Sequence, residues 1–300
     1  MVKIKRVSDI GVKELPALGI HNDMSNNAYH SSLGISKSGL DNVHRSPLHY
    51  AYHKNNQREQ TKAMAIGTAL HSLVLEPEKF EDDCIVAPEV DRRTKIGKID
   101  YAEFLQKSEG KTIISQKDYD KCVDMRTAVY EHEAASKLLE GGVAEQSFFW
   151  IDENFHLLCK CRPDYLKDMG DYYIAVDVKT TDNADPKEWF KSAYKYRYHV
   201  QAGFYSDGIE HVTGKPVKAF CFVVVEKDPP HGVAVYHGSG ELVNEGRFEY
   251  VSDLKRYFFC KENKKVADEK KEAYKWPGYG NHIQVLDLPG WASNNLRRRT

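Results

Sequence analysis

Cysteine is scarce in this chain, with six among 300 residues, at positions 84, 122, 159, 161, 221 and 260. That density excludes a disulfide-stapled scaffold. Only Cys159 and Cys161 stand close together, and C-x-C lacks the C-x-x-C spacing of a zinc site. The thiols therefore read as free and buried in a reducing compartment. No stretch reaches the ~18 uninterrupted apolar residues of a membrane span. The opening MVKIKRVSDIGVKELPALGI lacks the apolar core of a secretory signal, so a cytoplasmic location with no membrane contact is expected. An excess of either charge is also missing: 43 Lys plus Arg stand against 44 Asp plus Glu, a net charge of −1. Proteins that coat nucleic acid by bulk electrostatics are strongly basic, so that class is excluded. Internal repeats and low-complexity segments are absent. The remaining composition, 41% hydrophobic and 29% charged, belongs to a globular chain long enough for a large core.

The chain divides by pattern. Residues 1–60 read as an N-terminal arm with helices, extended over 1–34. Ser36 is a candidate N-cap for a helix that Pro47 interrupts and restarts. A helix is predicted over 61–75, ended by Pro77. Residues 82–115 read as a strand at 84–87, a charged loop and a short helix. The stretch 115–141 reads as one helix stopped by Gly141. The period then changes to that of strands: 143–151 and 154–166 form a hairpin about Asp152-Glu153, and 171–181 is a third strand after a turn at 168–171. A helix follows over 186–210, then strands at 218–227 and 232–239, then an amphipathic helix over 241–263. This order gives an α/β (α+β) class with a mixed central β-sheet flanked by helices. The core is placed at 61–290, and 291–300 is a basic tail.

Chemistry concentrates at Asp177-Val178-Lys179. Residues two apart on a strand share a face, so Asp177 and Lys179 project together. Lys160, Arg162 and Asp164 share one parity on the preceding strand, and the turn at 168–171 brings Asp164 toward Asp177. Two adjacent carboxylates need a positive partner, and oxygen donors suit Mg²⁺ or Mn²⁺. A nearby lysine can hold a water and stabilise charge on a phosphate. Acid-x-Lys also occurs at 109–111, 185–187, 253–255 and 262–264, and Asp177/Lys179 taken alone is equally a surface cross-strand pair. Gln201 and Tyr205, four apart, share a helix face. His71 sits on an apolar stripe, where histidine is more often a hydrogen-bonded core residue than a ligand. Glu145 stands at the start of the first strand.

Taken in order, RPD (162–164), AVDVKTT (175–181) and QAGFY (201–205) resemble the PD-(D/E)xK nuclease superfamily. GTALHSLVLEP resembles its RecB-like branch, and ISKSGL…SPLHY is similar to RecE (exonuclease VIII) type phage and prophage exonucleases. The resemblance implies a restriction-endonuclease-like core with a helical N-terminal elaboration. It implies His71, Asp164, Asp177 and the Val178 carbonyl as metal ligands, and Lys179 as the group that positions water. Gln201 and Tyr205 would sit by the scissile phosphate, with Glu145 a further acid of the site. The implied activity is Mg²⁺-dependent 5′→3′ degradation of one strand of linear duplex DNA, leaving 3′ single-stranded tails for recombination. The implied setting is a bacterial host cell, a homo-oligomeric ring (trimer or tetramer), DNA ends and a RecT-like annealing partner. Relatives with an iron–sulfur cluster need four cysteines, one upstream and a close group downstream; the downstream end here offers only Cys260, so no iron–sulfur cluster is expected. No GxxxxGK[ST] loop for a helicase motor occurs.

Basic and aromatic residues interleave over 187–201. Lys187, Lys191, Lys195, Arg197 and His199 alternate with Trp189, Phe190, Tyr194, Tyr196 and Tyr198, a pattern that suits phosphate contacts and base stacking. Arg92, Arg93, Lys95 and Lys98 form a second cluster, and Arg297–Arg299 a third. Two other readings stay open: a DNA-end clamp without catalysis, and an endonuclease of the same superfamily.

Overall fold

A computed structural model describes residues 16–56 and 60–286. The remainder of the predicted arm, and the tail with Arg297–Arg299, lie outside the described residues.

Helix starts follow the sequence signals closely. Ser36 caps α2 (Lys37–Arg45) through the Gly39 amide, after a short strand β1 (Gly19–His21) and helix α1 (Asn26–Ser31). Pro47 opens α3 (Pro47–Asn55), where its missing N–H costs nothing. Thr61 caps α4 (Lys62–Leu75). Beyond Pro77 come α5 (Phe80–Asp83), β2 (Cys84–Val86), α6 (Lys95–Lys107) and β3 (Thr112–Ile114). The arm is therefore not merely extended: β1 pairs with a later strand at 147–149, and α1 is a capped turn of helix. β3, absent from the sequence reading, is three residues long; it pairs in parallel with β2 and buries Ile114 in the core shared with α4.

Two predicted helices are broken. The 115–141 helix is α7 (Gln116–Glu131) and α8 (Glu133–Leu138), divided where the His132 imidazole caps the Ala135 amide. The 186–210 helix is α9 (Pro186–Lys195) and α10 (Tyr198–Thr213), divided at Arg197, whose φ is +56°.

The predicted hairpin strands also divide. One becomes β4 (Val143–Ala144) and β5 (Ser147–Ile151); the other becomes β6 (Leu158–Cys161) and β7 (Tyr165–Asp168). β5 and β6 pair in a three-stranded sheet with β1. β4 and β7 pair at the edge of a five-stranded sheet, ordered β10-β9-β8-β7-β4, whose other strands are β8 (Tyr173–Thr181), β9 (Val217–Glu226) and β10 (Val233–His237). The breaks have local causes. Pro163 has no N–H for a ladder, and Glu145 takes a φ of +52° while its amide still donates to the Asp164 carbonyl.

β8 and β9 run parallel, linked through α9 and α10, and are buried on both faces. Their alternation splits the core in two. Ala175, Phe220, Phe222 and Val224 join Trp189, Phe204 and Leu254 of α9, α10 and the long helix α11 (Gly240–Glu269). Val176, Val178, Val223 and Val225 join Ala69, Leu70 and Met125 of α4 and α7. All six cysteines are free and buried, and burial pushes the Cys84 and Cys122 thiols up to about 11 and about 12. Among the described residues no helix is long and apolar enough to cross a membrane.

Candidate active site

The hairpin of β7 and β8 sets the site. Tyr165 pairs with Val176, which brings Asp164 level with Asp177. Asp164 Oδ2 accepts the Val178 amide at 2.7 Å, so that carboxylate is fixed by the backbone of β8. From the opposite core layer, α4 delivers His71. Its Nε2 donates to the Val178 carbonyl at 2.7 Å and lies 3.6 Å from Asp164 Oδ2. The kink at Glu145 turns that side chain into the same space. One ligand atom each from His71, Glu145 and Asp164 lie within 4.8 Å of one another.

Asp177 is fully buried and engaged differently. Its Oδ1 accepts from Gln201 Nε2, and its Oδ2 is ion-paired with the Lys179 ammonium. That ammonium lies 5.1 Å from the Tyr198 ring centre. Gln201 and Tyr205 do share one face of α10; Tyr205 lines a cavity of about 250 Å³ together with His71, Glu145, Asp164, Arg162 and Tyr29. All eight sequence-predicted residues of the site thus converge. Within that group, the close donor cluster holds Glu145 where the resemblance implied Asp177.

Arg162, Tyr29 and Asn26 were assigned no role from sequence. Arg162 is buried. It donates to Ser147 Oγ and to the Met24 carbonyl, both at 2.7 Å, lies 4.3 Å over the Tyr29 ring and 3.9 Å from Glu145. Its shared parity with Asp164 was the one available signal. Tyr29 and Asn26 come from the arm, more than 100 positions upstream, and nothing local marks them.

The basic patches fare unevenly. Lys187, Lys191 and Lys195 are exposed, as are Phe190, Tyr194 and Tyr196. Arg92, which lies 4.4 Å over the Tyr101 ring, and Arg93, ion-paired to Asp91, are exposed too. Arg197 is a correction. It is buried against Asp41, Glu249 and Asp253, so its charge is consumed inside the protein where it cannot meet a phosphate. His199 is buried against Glu249, and Trp189 belongs to the core.

Residues 36–274 match the family described as a PDDEXK-like domain of unknown function, DUF3799. The chain belongs to that family. In this PDDEXK-like chain the residues that match the name are Pro163-Asp164, just ahead of β7, and Asp177-Val178-Lys179 on β8. The crystal structure named "Putative exonuclease" from Eubacterium rectale shares the fold at a TM-score of 0.52 and 13% identity, covering 85% of this chain and 90% of that one. The crystal structure of SSO0001 aligns with a TM-score of only 0.26 at 13% identity, over 63% of this chain and 85% of that one, and carries no argument. No curated protein matches the sequence.

Buried like charges crowd the PDDEXK-like site. Burial, and then Asp164, push the Asp177 carboxyl up to about 6, although Lys179 and His71 pull it down. Burial, and then Asp164, push Glu145 up to about 8 against the pull of Arg162. Burial pulls Lys179 down, but Asp177 and Asp164 more than reverse this and hold it above the ordinary lysine value. Raised carboxyl values mean that the folded chain keeps protons the unfolded chain has lost. Stability in EDTA therefore falls as pH climbs from 4.5 to about 8 for Glu145, and from 3.8 to about 6 for Asp177. The expected result is a smaller drop in melting temperature between about pH 5 and about pH 8 for Glu145→Gln than for wild type. Parallel curves would refute this account of Glu145.

Proposed function

We propose that this PDDEXK-like chain is a divalent-metal-dependent DNA exonuclease. The convergence of His71, Glu145 and Asp164 beside the Asp177–Lys179 pair carries the reading. The donor set fits a small hard cation: two carboxylates and an imidazole, with the Val178 carbonyl at hand. Mg²⁺, with Mn²⁺ as substitute, would be held by His71, Glu145, Asp164 and the Val178 carbonyl, with Asp177 behind them. Bound there, it supplies charge neutralisation and a polarised water or phosphate oxygen.

The chain's own groups divide the remaining tasks. Lys179, kept protonated by Asp177, orients the attacking water or donates to a phosphate oxygen. Gln201 fixes the Asp177 carboxylate in the rotamer that meets Lys179. The Tyr205 hydroxyl, whose pKa burial pushes well above the usual tyrosine value, remains a donor into the cavity. Arg162 braces Glu145 from behind. Exposed Lys187, Lys191 and Lys195 supply phosphate contacts beside α10.

The similarity of ISKSGL…SPLHY and GTALH to RecE-type enzymes supports the finer reading. The substrate is then linear duplex DNA, one strand is degraded 5′→3′, and 3′ tails are left for a RecT-like annealing protein. A ring-shaped homo-oligomer in the bacterial cytoplasm completes it. The test is linear duplex labelled at either end, incubated with Mg²⁺ or with EDTA. Mg²⁺-dependent release of label from 5′ ends is expected, with closed circular DNA left intact. Cutting of the circle would make the protein an endonuclease, and binding of ends without any cleavage would make it a clamp.

A further inference from the structure

A second, larger groove of about 930 Å³ adjoins the site cavity. Helix α1 is the wall between them: Asn26 and Tyr29 line the cavity, Asn27 and Ala28 line the groove, and His30 lines both. The other walls come from α2, α3, β6 and α11. The segment 35–50, singled out by its sequence, supplies much of this surface, yet the catalytic reading gives it no task.

The charge of the groove is one-sided. Among the described residues, no Asp or Glu lines this groove. Lys54 and Lys261 present exposed ammonium groups, and His30 and His53 add imidazoles, whereas the buried Lys160 ammonium donates to the Tyr29 and Ser32 carbonyls. Ser31, Ser32, Ser36 and Ser38 add hydroxyls along one side. The placement of two lysines is built into the fold. Tyr50 of α3 and Tyr257 of α11 share a hydrogen bond between hydroxyls at 2.9 Å, with rings 4.8 Å apart. Each helix then carries a lysine one turn on: Lys54 lies 6.0 Å from the Tyr50 ring and Lys261 lies 5.8 Å from the Tyr257 ring. A single tyrosine pair thus sets two exposed ammonium groups on one wall.

We propose that this groove holds one strand of nucleic acid by its phosphates, continuous with the strand in the catalytic cavity. A polyanion fits a trough that no described acid lines and that carries the exposed Lys54 and Lys261 ammonium groups. Its volume is that of a small-ligand site, roughly 300–1,000 Å³, which accommodates part of one strand. The destination of the strand rests on the nuclease reading; its binding does not.

The test is fluorescence anisotropy of the whole chain with a labelled single-stranded oligodeoxynucleotide in EDTA, at several salt concentrations. Lys54→Glu/Lys261→Glu is expected to weaken binding at least about tenfold. It should also flatten the dependence of log affinity on log salt by about 1.4, two contacts at about 0.7 each for a single strand. Lys54→Gln/Lys261→Gln should give the same flattening with a smaller loss. Lys137→Glu/Lys218→Glu, outside the groove, controls for bulk charge. Unchanged binding in the groove variants, or an equal loss in the control, overturns the proposal. Cleavage by wild type is scored separately. If wild type never cuts but the groove variants lose the strand, the nuclease reading falls and the groove stands. If wild type cuts and the variants bind normally, the reverse holds.

Discussion

Lys179→Met is expected to lower the rate of DNA cleavage by roughly 10²–10³-fold, the usual cost of removing one preorganised charge donor. It should also destabilise the fold, because Asp177 is fully buried and Lys179 is its ion-pair partner. Breaking a buried pair by removing one member costs about 3–5 kcal/mol. Here the deserted carboxylate would stand beside Asp164, so the deficit should grow as pH rises and Asp177 ionises. The double variant Asp177→Asn/Lys179→Met removes both charges and is expected to recover part of the stability while staying inactive. Denaturant unfolding of the two single variants and the double completes the cycle. A double variant less stable than Lys179→Met would show that the pair does not couple. Retained cleavage by Lys179→Met would remove the central residue of the proposed chemistry.

Gly246→Val should be the most damaging change away from the site. A Cβ at Gly246 would stand 1.8 Å from the His199 carbonyl oxygen, and one at Gly203 would stand 2.8 Å from the Arg247 amide nitrogen. α10 and α11 thus meet backbone to backbone, and neither obstacle is a side chain that can rotate away. Overpacking usually costs about 1–3 kcal/mol; with rigid backbone in the way, a loss at or above the top of that range is expected. Because α10 carries Gln201 and Tyr205, activity should fall with stability. Gly240→Ala is the control: a Cβ there meets nothing within 4 Å, and its effect should be small. Equal melting temperatures for the two variants would contradict this helix contact.

Residues near in sequence proved legible. Ser36 and Pro47 marked helix starts because capping is a local hydrogen bond or a fixed φ. Period-two alternation placed Asp177 and Lys179 on one face, and a short turn brought Asp164 beside Asp177. The breaks at His132, Glu145 and Arg197 were illegible, because no run of apolar residues changes period there. The break at His132 is closed by its own imidazole on the Ala135 amide, whereas those at Glu145 and Arg197 are held by partners distant in sequence. Arg197 holds its left-handed turn through Asp41, Glu249 and Asp253, and reading it as a surface cation failed for that reason.

The amino-acid order carried the fold class, the Asp–x–Lys strand, its partner Asp164 and the Gln201–Tyr205 helix face, because strand and helix periods translate spacing directly into direction. Net charge near zero excluded a bulk binder of nucleic acid and was silent on everything local. Tertiary packing alone decided which donors meet: His71 crosses from the other core layer, Glu145 arrives through a kink, and Tyr29 with Arg162 closes the cavity. It also decided where the described acids are absent, leaving a trough that presents Lys54 and Lys261. Charges sum along a sequence, but they act through distances of a few ångströms, and only the folded chain sets those.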